Sequence, residues 1–349
     1  MKKYKFIVTS IKKNIIPLTF LFFIVCLVIF SNSNLSAARN GLFLWANKLV
    51  PSLLPFFIAT ELLSYTDIVH KFGKLLNPIM MPLFNVPGIA SFALIMGIIS
   101  GYPTGAKIAV DLNENGLCTR EEAERMLAFT NNSGPLFILS TVGISMFGNS
   151  QIGILLLVTH ILACITVGII FRFYKCKTYN TNNLKVYSTN KELVSFSNLG
   201  DILGKAITSS VKTMIMIGGF VVLFSIILSI LKNSNIINIL SKTLFPLFKM
   251  FGINDIQFSN AFISGIIELT NGVMQISSIQ AKTISINIIL SAFLLGFGGF
   301  SVLLQVSSII SKANISIKSY FIGKLLHGII AAFYTFLFIT YFPIFNLDL

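Results

Sequence analysis

The residues best suited to chemistry lie where an apolar run is broken. No charged side chain occurs between residues 75 and 106, yet this run ends in SGYPTGAK at residues 100–107. Pro103 removes a backbone donor, while Gly101 and Gly105 permit unusual backbone angles, so the segment is predicted to end one half-helix and start another. A half-helix N-terminus carries about half a positive charge and free N–H donors, and Lys107 adds a full charge. The chemistry favoured here is anion binding.

Three other stretches have the same character: FTNNSGPLF at 129–137, SGIIELTNG at 264–272 and GFGGFS at 296–301. We predict helix breaks within 100–105, 131–135, 268–272 and 296–299, near the middle of the membrane and facing one another. Matched interruptions of this kind point to the binding site of a transporter. The alternative is that glycine and proline serve close packing of membrane helices.

The candidate substrate-binding residues all come from these four interruptions. They are Ser100, Gly101, Tyr102, Thr104, Gly105, Lys107, Asn131, Asn132, Ser133, Gly134, Glu268, Thr270, Asn271, Gly298 and Gly299. A carboxylate within a membrane span is costly and usually functional. Glu268 is therefore predicted to carry a proton or to pair with a cation, the alternatives being a structural ion pair or a helix end near the headgroups. The cations considered are Lys107, Lys212 and Lys282.

The elements that must position these residues are membrane-spanning helices. The 349-residue chain is 54% hydrophobic and only 11% charged, whereas a soluble domain carries about 25% charged residues. Six charge-free runs are long enough to span a bilayer, which needs about 20 apolar residues. They are 14–38, 75–106, 126–171, 213–231, 283–311 and 325–347. The fold class is therefore an all-α polytopic membrane protein, and the location is an integral membrane one.

An internal match divides the chain into two halves. At a shift of 164 residues, Pro82-Leu83-Phe84 falls on Pro246-Leu247-Phe248, and Ile99-Ser100-Gly101 falls on Ile263-Ser264-Gly265. Chance agreement among abundant apolar residues is the alternative. We predict an N-terminal transmembrane helix over 1–39, one repeat over 40–175, a polar linker over 176–200 and a second repeat over 201–349.

Loop charges predict the orientation of these two repeats. Lysines flank the first helix and occur in the linker, which places both on the cytoplasmic side. The first helices of the two repeats then cross the membrane in opposite directions, so the repeats are predicted to be inverted. Lys232, Lys242 and Lys249 fall on the outer side in this scheme and argue against it. The first helix is expected to be retained rather than cleaved as a signal peptide.

The connector between the first two interruptions is different in composition. The sequence from 112 to 130 contains four glutamates and two arginines, and Thr119 with Glu122 forms a capping-box pattern. Ala123, Met126 and Leu127 fall on one helical face. We interpret this segment as a short amphipathic helix that serves as a solvated connector.

Several other functions find no support in the sequence. The net charge of +14 comes from lysines scattered in short loops, so nucleic acid is not expected as a partner. The four cysteines show no paired spacing, and no cofactor or metal is predicted. His160 and His327 are expected to form interhelical hydrogen bonds rather than to bind a metal. No soluble-enzyme motif is present, although a membrane-embedded enzyme remains an alternative.

The motifs ISGYPTGAK, TNNSGPLFILS, ISGIIELTNG and GFGGFSVLLQ resemble those of the sporulation integral membrane protein YlbJ (SpoVV) family. The resemblance covers about residues 10–342 and includes a nucleoside-recognition or Gate domain. It implies a Gate-like fold with two repeats and export of dipicolinate, a small aromatic dianion, from the mother cell across the outer forespore membrane. Tyr102 would be a stacking partner for such a ring. A nucleoside or other small-solute transporter, and a structural sporulation protein without transport, remain alternatives. Lipid is the other expected partner, and the oligomeric state stays open.

Overall fold

The computed structural model describes residues 2–176, 194–280, 284–311, 313 and 315–341, which form helices and no β-strand. Five helical segments are long and apolar enough to cross a membrane: Ser31–Leu63, Ser150–Phe171, Leu199–Asn233, Ser285–Ile310 and Ile317–Tyr341. An all-helical solution is expected in lipid, because a helix satisfies its own backbone hydrogen bonds. The predicted fold class is confirmed.

The N-terminal region is divided differently from the prediction of one helix over 1–39. Helix α1 (Lys2–Ile29) ends at a turn where Phe30 leaves helical backbone angles. A second helical segment then continues from Ser31 to Leu63 as α2 (Ser31–Leu44), a π-helical turn (Trp45–Leu49) and α3 (Val50–Leu63). The π-helical turn precedes Pro51, which has no N–H to donate to the regular helical ladder.

The remaining helices of the first half are α4 (Ile68–Phe84), α5 (Ala90–Ser100), α6 (Thr104–Glu114), α7 (Arg120–Thr130), a π-helical segment (Phe137–Met146) and α8 (Ser150–Phe171). The second half contains α9 (Leu199–Asn233), α10 (Ile236–Met250), α11 (Ile256–Ile267), α12 (Leu269–Ser278), α13 (Ser285–Phe297), α14 (Gly299–Ile310) and α15 (Ile317–Tyr341). Both halves thus follow one order, as a duplication requires: a long segment, an amphipathic helix with proline, two interrupted helix pairs and a closing helix. The inverted orientation stays a prediction.

The two halves pack into each other rather than side by side. The closing helix α15 packs against α13 of its own half and against α7 and α8 of the first half. The half-helices also cross over, since α6 packs against α14 and α12 packs against the π-helical segment 137–146. These crossings bring the interruptions of both halves to the centre of the molecule.

The prediction that residues 112–130 form a solvated connector holds at the exposed residues 114–116 but is wrong for the helix that follows. Helix α7 has the predicted Thr119–Glu122 capping box, but every residue from Ala123 to Thr130 is buried. The buried Glu124 carboxylate accepts from Arg120 and Lys175, while Arg125 donates to the carbonyl of Tyr174. Because the charged groups find partners in the protein, a polar sequence is accommodated inside the fold.

Candidate functional site

All four predicted interruptions are breaks in the helical structure. Helices α5 and α6 are separated at residues 101–103, and regular structure is absent from residues 131–134. In the second half, Glu268 separates α11 from α12, and Gly298 separates α13 from α14. The helix-break predictions are therefore confirmed in each case.

The two breaks of the first half touch each other through backbone. Gly101 has a φ of 80°, and a Cβ atom there would lie 2.8 Å from the backbone nitrogen of Gly134. Only glycine fits this close approach, since any side chain would collide with the opposing chain. The hydroxyl groups of Tyr102 and Ser133 are 2.7 Å apart and join the same two breaks.

The two breaks of the second half meet in the same way. Gly299 has a φ of 79°, and a Cβ atom there would lie 3.0 Å from the carbonyl oxygen of Gly265 and 3.2 Å from the backbone nitrogen of Leu269. The end of α11, the start of α12 and the start of α14 are therefore in contact. Each half contributes one pair of opposed half-helix ends.

Glu268 uses its carboxylate to cap α12. One oxygen accepts from the Thr270 N–H at 3.2 Å, and the other accepts from the backbone and side-chain nitrogens of Asn271, both at 2.8 Å. The carboxylate is buried and occupies the positive end of the helix dipole. This N-terminus therefore already holds an anion from its own chain.

The cations considered as partners for Glu268 lie elsewhere. Lys107 donates to Glu61 at 2.7 Å and to Ser209 at 2.9 Å, and Lys212 is exposed. Lys282 lies outside the described residues. None of the ion pairs among the described residues includes Glu268. Half-helix N–H groups, rather than a lysine, hold this carboxylate.

The four breaks surround one cavity of about 40 Å³. Its lining is Leu49, Leu53, Gly101, Tyr102, Gly134, Phe137, Ile217, Val221, Glu268, Leu269, Thr270, Ser301, Val302 and Gln305. Both halves contribute, and the wall is apolar apart from a few polar groups, as is usual for small-molecule sites. A water molecule needs about 10–15 Å³ of such volume. The described conformation therefore has room for a few water molecules but not for a larger solute.

The predicted site residues form two groups by position, with Asn271 and Lys107 placed apart from both. Gly101, Tyr102, Gly134, Glu268 and Thr270 line the cavity. A second group is buried behind it and supports the breaks: Ser100, Thr104, Gly105, Asn131, Asn132, Ser133, Gly298 and Gly299. Asn271 holds the Glu268 carboxylate. Lys107 is not among the lining residues, because its ammonium group is turned to Glu61.

Behind the breaks lies a buried polar network that joins α8 and α15. The Ser133 N–H donates to Nε2 of His160 at 3.2 Å, and the rings of His160 and His327 lie 4.3 Å apart. Nε2 of His327 lies 3.0 Å from the carbonyl oxygen of His160. The prediction of interhelical hydrogen bonds is confirmed for His327, whereas the ring of His160 bonds to the break at 131–134 rather than to a helix.

Lys324 belongs to this network. Its ammonium group donates to the Asn131 carbonyl at 3.0 Å and lies 3.3 Å from Nδ1 of His327. The side-chain amide of Asn131 donates to the hydroxyl of Tyr320 at 2.8 Å. The break at 131–134 is thus held by side chains of the last helix of the second half.

Sequence reasoning missed three polar residues at this centre: Ser301, Gln305 and Lys324. Ser301 and Gln305 follow the glycine break by less than two helical turns and line the cavity. Lys324 lies within α15 (Ile317–Tyr341), directly before the charge-free run that begins at residue 325. A lysine three residues before an intramembrane histidine was the available signal.

Comparison with known proteins places this arrangement in a family. The chain is 38% identical over 333 residues to the sporulation integral membrane protein YlbJ of Bacillus subtilis (strain 168), covering 91% of this chain and 80% of that protein. The chain belongs to the YlbJ family. A family model described as nucleoside recognition, or Gate, matches residues 46–174. No solved structure gives a significant match.

For this YlbJ family member, the Gate match has a clear structural meaning. Residues 46–174 include α3 to α8 and both breaks of the first half. The predicted first repeat, 40–175, is close to that range. The protein is an integral membrane protein, as its relative's name and its own apolar helices agree.

Proposed function

We propose that this protein transports a small organic anion across a membrane, through the cavity between the four helix breaks. The observation that carries the proposal is the convergence of Gly101, Gly134, Glu268 and the segment after Gly298 on one cavity. Irregular backbone at membrane depth is tolerated where it is buried in protein or lines a cavity, and transporters use such breaks for substrate. A purely structural membrane protein has no need for four helix breaks in one place.

The substrate we favour is dipicolinate, moved from the mother cell to the forespore during sporulation. The relative's name refers to sporulation, and the resemblance to the YlbJ family implies dipicolinate. The aromatic side chains of Tyr102 and Phe137 in the cavity wall suit a flat ring. The membrane would then be the cell membrane or the outer forespore membrane.

The geometry changes how the anion is expected to bind. The Ser133 N–H donates to His160 and the Lys107 N–H donates to the Pro103 carbonyl, so neither is free for a substrate carboxylate. The start of α12 is occupied by Glu268. Binding then depends on side chains and on a conformation in which the cavity of about 40 Å³ has opened.

A nucleoside is the second candidate substrate. The match to the nucleoside-recognition family supports it, and so do the uncharged hydrogen-bonding groups of Thr270, Ser301 and Gln305 in the cavity wall. These groups suit the hydroxyl and amide edges of a neutral solute as well as they suit an anion.

Uptake by purified protein in lipid vesicles tests the proposal. We expect accumulation of labelled dipicolinate above that of protein-free vesicles, and competition by unlabelled dipicolinate. The variant Gln305→Leu removes a cavity-lining amide and should lower uptake at least several-fold, whereas Gln151→Leu changes an exposed glutamine and should not. Uptake of uridine in preference to dipicolinate favours the nucleoside function. Transport of neither solute refutes both substrates.

A further inference from the structure

Lys324 is a buried lysine without an anionic partner among the described residues. Its side chain is 1% exposed, and the ion pairs formed by the described residues do not include it. A buried charge is normally paired, because removal of an ammonium group from water is costly. The residue therefore needs a functional or structural explanation.

Both recorded partners of Lys324 are neutral. The first is the backbone carbonyl of Asn131. The second is His327, whose Nε2 must carry a proton because it faces a carbonyl oxygen, which can only accept. Nδ1 of that neutral ring is then free to accept from the ammonium group at 3.3 Å. An ammonium group has three N–H donors, so one remains for a further acceptor.

A second buried donor lies beside it without a partner. His160 accepts the Ser133 N–H at Nε2, so a neutral ring carries its proton on Nδ1, and that atom is buried with no hydrogen-bond partner in the described part of the chain. The amide oxygens of Asn131 and Asn132 and the hydroxyl of Thr130 are also buried without a partner in that part of the chain. An amide oxygen needs a hydrogen-bond donor, so a carboxylate, which only accepts, cannot satisfy it, whereas a water molecule can.

Gly298 lies close both to Lys324 and to a residue of the cavity wall. A Cβ atom built on Gly298 would lie 3.7 Å from Val302, which lines the cavity, and 3.9 Å from Cε of Lys324. Gly298 therefore fills the gap between the lysine and the wall without a side chain. On the other side, the ammonium group holds Asn131, three residues before the cavity-lining Gly134. Opening between these two breaks would bring the ammonium group to the cavity.

We propose that Lys324 supplies the counter-charge for one carboxylate of the transported anion. This inference rests on the proposed transport function and adds to it the residue that makes the site select for negative charge. In the closed conformation the lysine is held by neutral groups, and in the open one its third N–H donates to the substrate. A charge-assisted hydrogen bond of this kind corresponds to about a tenfold to hundredfold effect on binding.

A purely structural role makes a different prediction. The ammonium group donates to a carbonyl just beyond the end of α7, where a positive charge favours the helix dipole. If that were its whole function, loss of the charge would lower the transport of every solute to the same extent. Charge selectivity distinguishes the two roles.

The experiment compares two inhibitors of labelled dipicolinate uptake in proteoliposomes: unlabelled dipicolinate and its neutral diamide, which has nearly the same shape. For the wild type we expect the diacid to inhibit at least tenfold better than the diamide. Lys324→Gln should reduce that ratio to near one, and Lys324→Arg should keep most of it. Lys318→Gln, which changes an exposed lysine on the same helix, should leave the ratio unchanged.

The outcomes separate the two proposals. If the wild type transports no anion, the proposed function fails and the inference fails with it. If the wild type prefers the diacid and Lys324→Gln keeps that preference, the inference alone is overturned. Should Lys324→Gln not fold, Lys324→Arg decides, because loss of diacid preference despite a retained charge would also refute the counter-charge role.

Discussion

Glu124 offers a quantitative test of how the two halves are held together. Its carboxylate is fully buried and accepts from Arg120 at 3.1 Å, from Lys175 at 2.5 Å and from the backbone N–H of Ser316 at 3.2 Å. Ser316 immediately precedes α15, which carries Lys324. The contact therefore fixes α7, which ends at the 131–134 break, against the closing helix of the other half.

The cost of losing this carboxylate follows from the exposure of its partners. The side chains of Arg120 and Lys175 are 48% and 44% exposed, so water solvates their charges and the ion pairs themselves contribute little. The half-buried Ser316 N–H is the costly partner, since hydrogen bonds to charged groups contribute about 1.5–3 kcal/mol. Glu124→Gln keeps an acceptor and should cost about 1–2 kcal/mol, whereas Glu124→Ala, which leaves the N–H unpaired, should cost about 3 kcal/mol.

The pH dependence of this contribution has a definite sign. Burial alone raises the pKa of the Glu124 carboxyl, but the hydrogen bonds from Lys175, Ser316 and Arg120 outweigh burial and lower that pKa below its usual value. A carboxyl with a lowered pKa in the folded state contributes fully above its ordinary pKa, about 4.3, and loses this contribution as the pH falls through the lower folded value.

Unfolding free energies in detergent micelles measure both effects. The difference between wild type and Glu124→Gln should be constant from about pH 7 to about pH 5 and should shrink below about pH 4. Glu114→Gln, which alters an exposed glutamate nearby, is the matched control and should show neither effect. A difference below 0.5 kcal/mol at neutral pH, or one that grows as the pH falls, would refute the reasoning.

Three further predictions concern the breaks. Gly101→Ala should abolish folding or lower the free energy of unfolding by more than about 2 kcal/mol, because a Cβ atom meets the opposing backbone. The control Gly116→Ala has the same sign of φ but open space around it, and should cost about 1 kcal/mol. Thermal midpoints in detergent compare the two variants. Glu268→Ala should destabilise the protein by about 1–2 kcal/mol through loss of the α12 cap, with Glu268→Gln less harmful, as denaturation would measure. Lys107→Ala should change dipicolinate uptake equally at low and high salt, because its charge is paired with Glu61 away from the cavity; a larger loss at low salt would indicate long-range steering instead.

The positions of the breaks were predictable because they depend on local backbone chemistry. Pro103, Gly101 and the Asn-Asn-Ser-Gly-Pro run each disfavour a continuous helix whatever surrounds them. Their occurrence at matching places in the two halves added an independent reason to expect a common centre. The cavity that the structure shows is lined by residues of both halves, as that expectation requires.

The partners of each polar side chain were not predictable, because they come from distant parts of the sequence. Asn131 and Lys324 meet across 193 positions, and no local pattern indicates that contact. The same reason explains the error over α7: the charges of Glu124 and Arg125 read as solvated, yet their partners are supplied by the end of α8 and the start of α15. The sequence predicts Lys107 as a substrate-binding residue because no local pattern indicates that Glu61 lies beside it.

The two halves share one order of helices but place different charged groups near the cavity, so the two sides of the cavity differ. The second-half break carries a carboxylate that is satisfied by the N-terminus of its own half-helix. The first-half break at 131–134 carries no ionisable group, yet it is held by a lysine from α15 whose partners are neutral. One charge at the centre is therefore matched within the protein, while the other is not. A solute with a negative group at one end would be oriented by this asymmetry, toward Lys324 and away from Glu268, in whichever conformation the cavity opens.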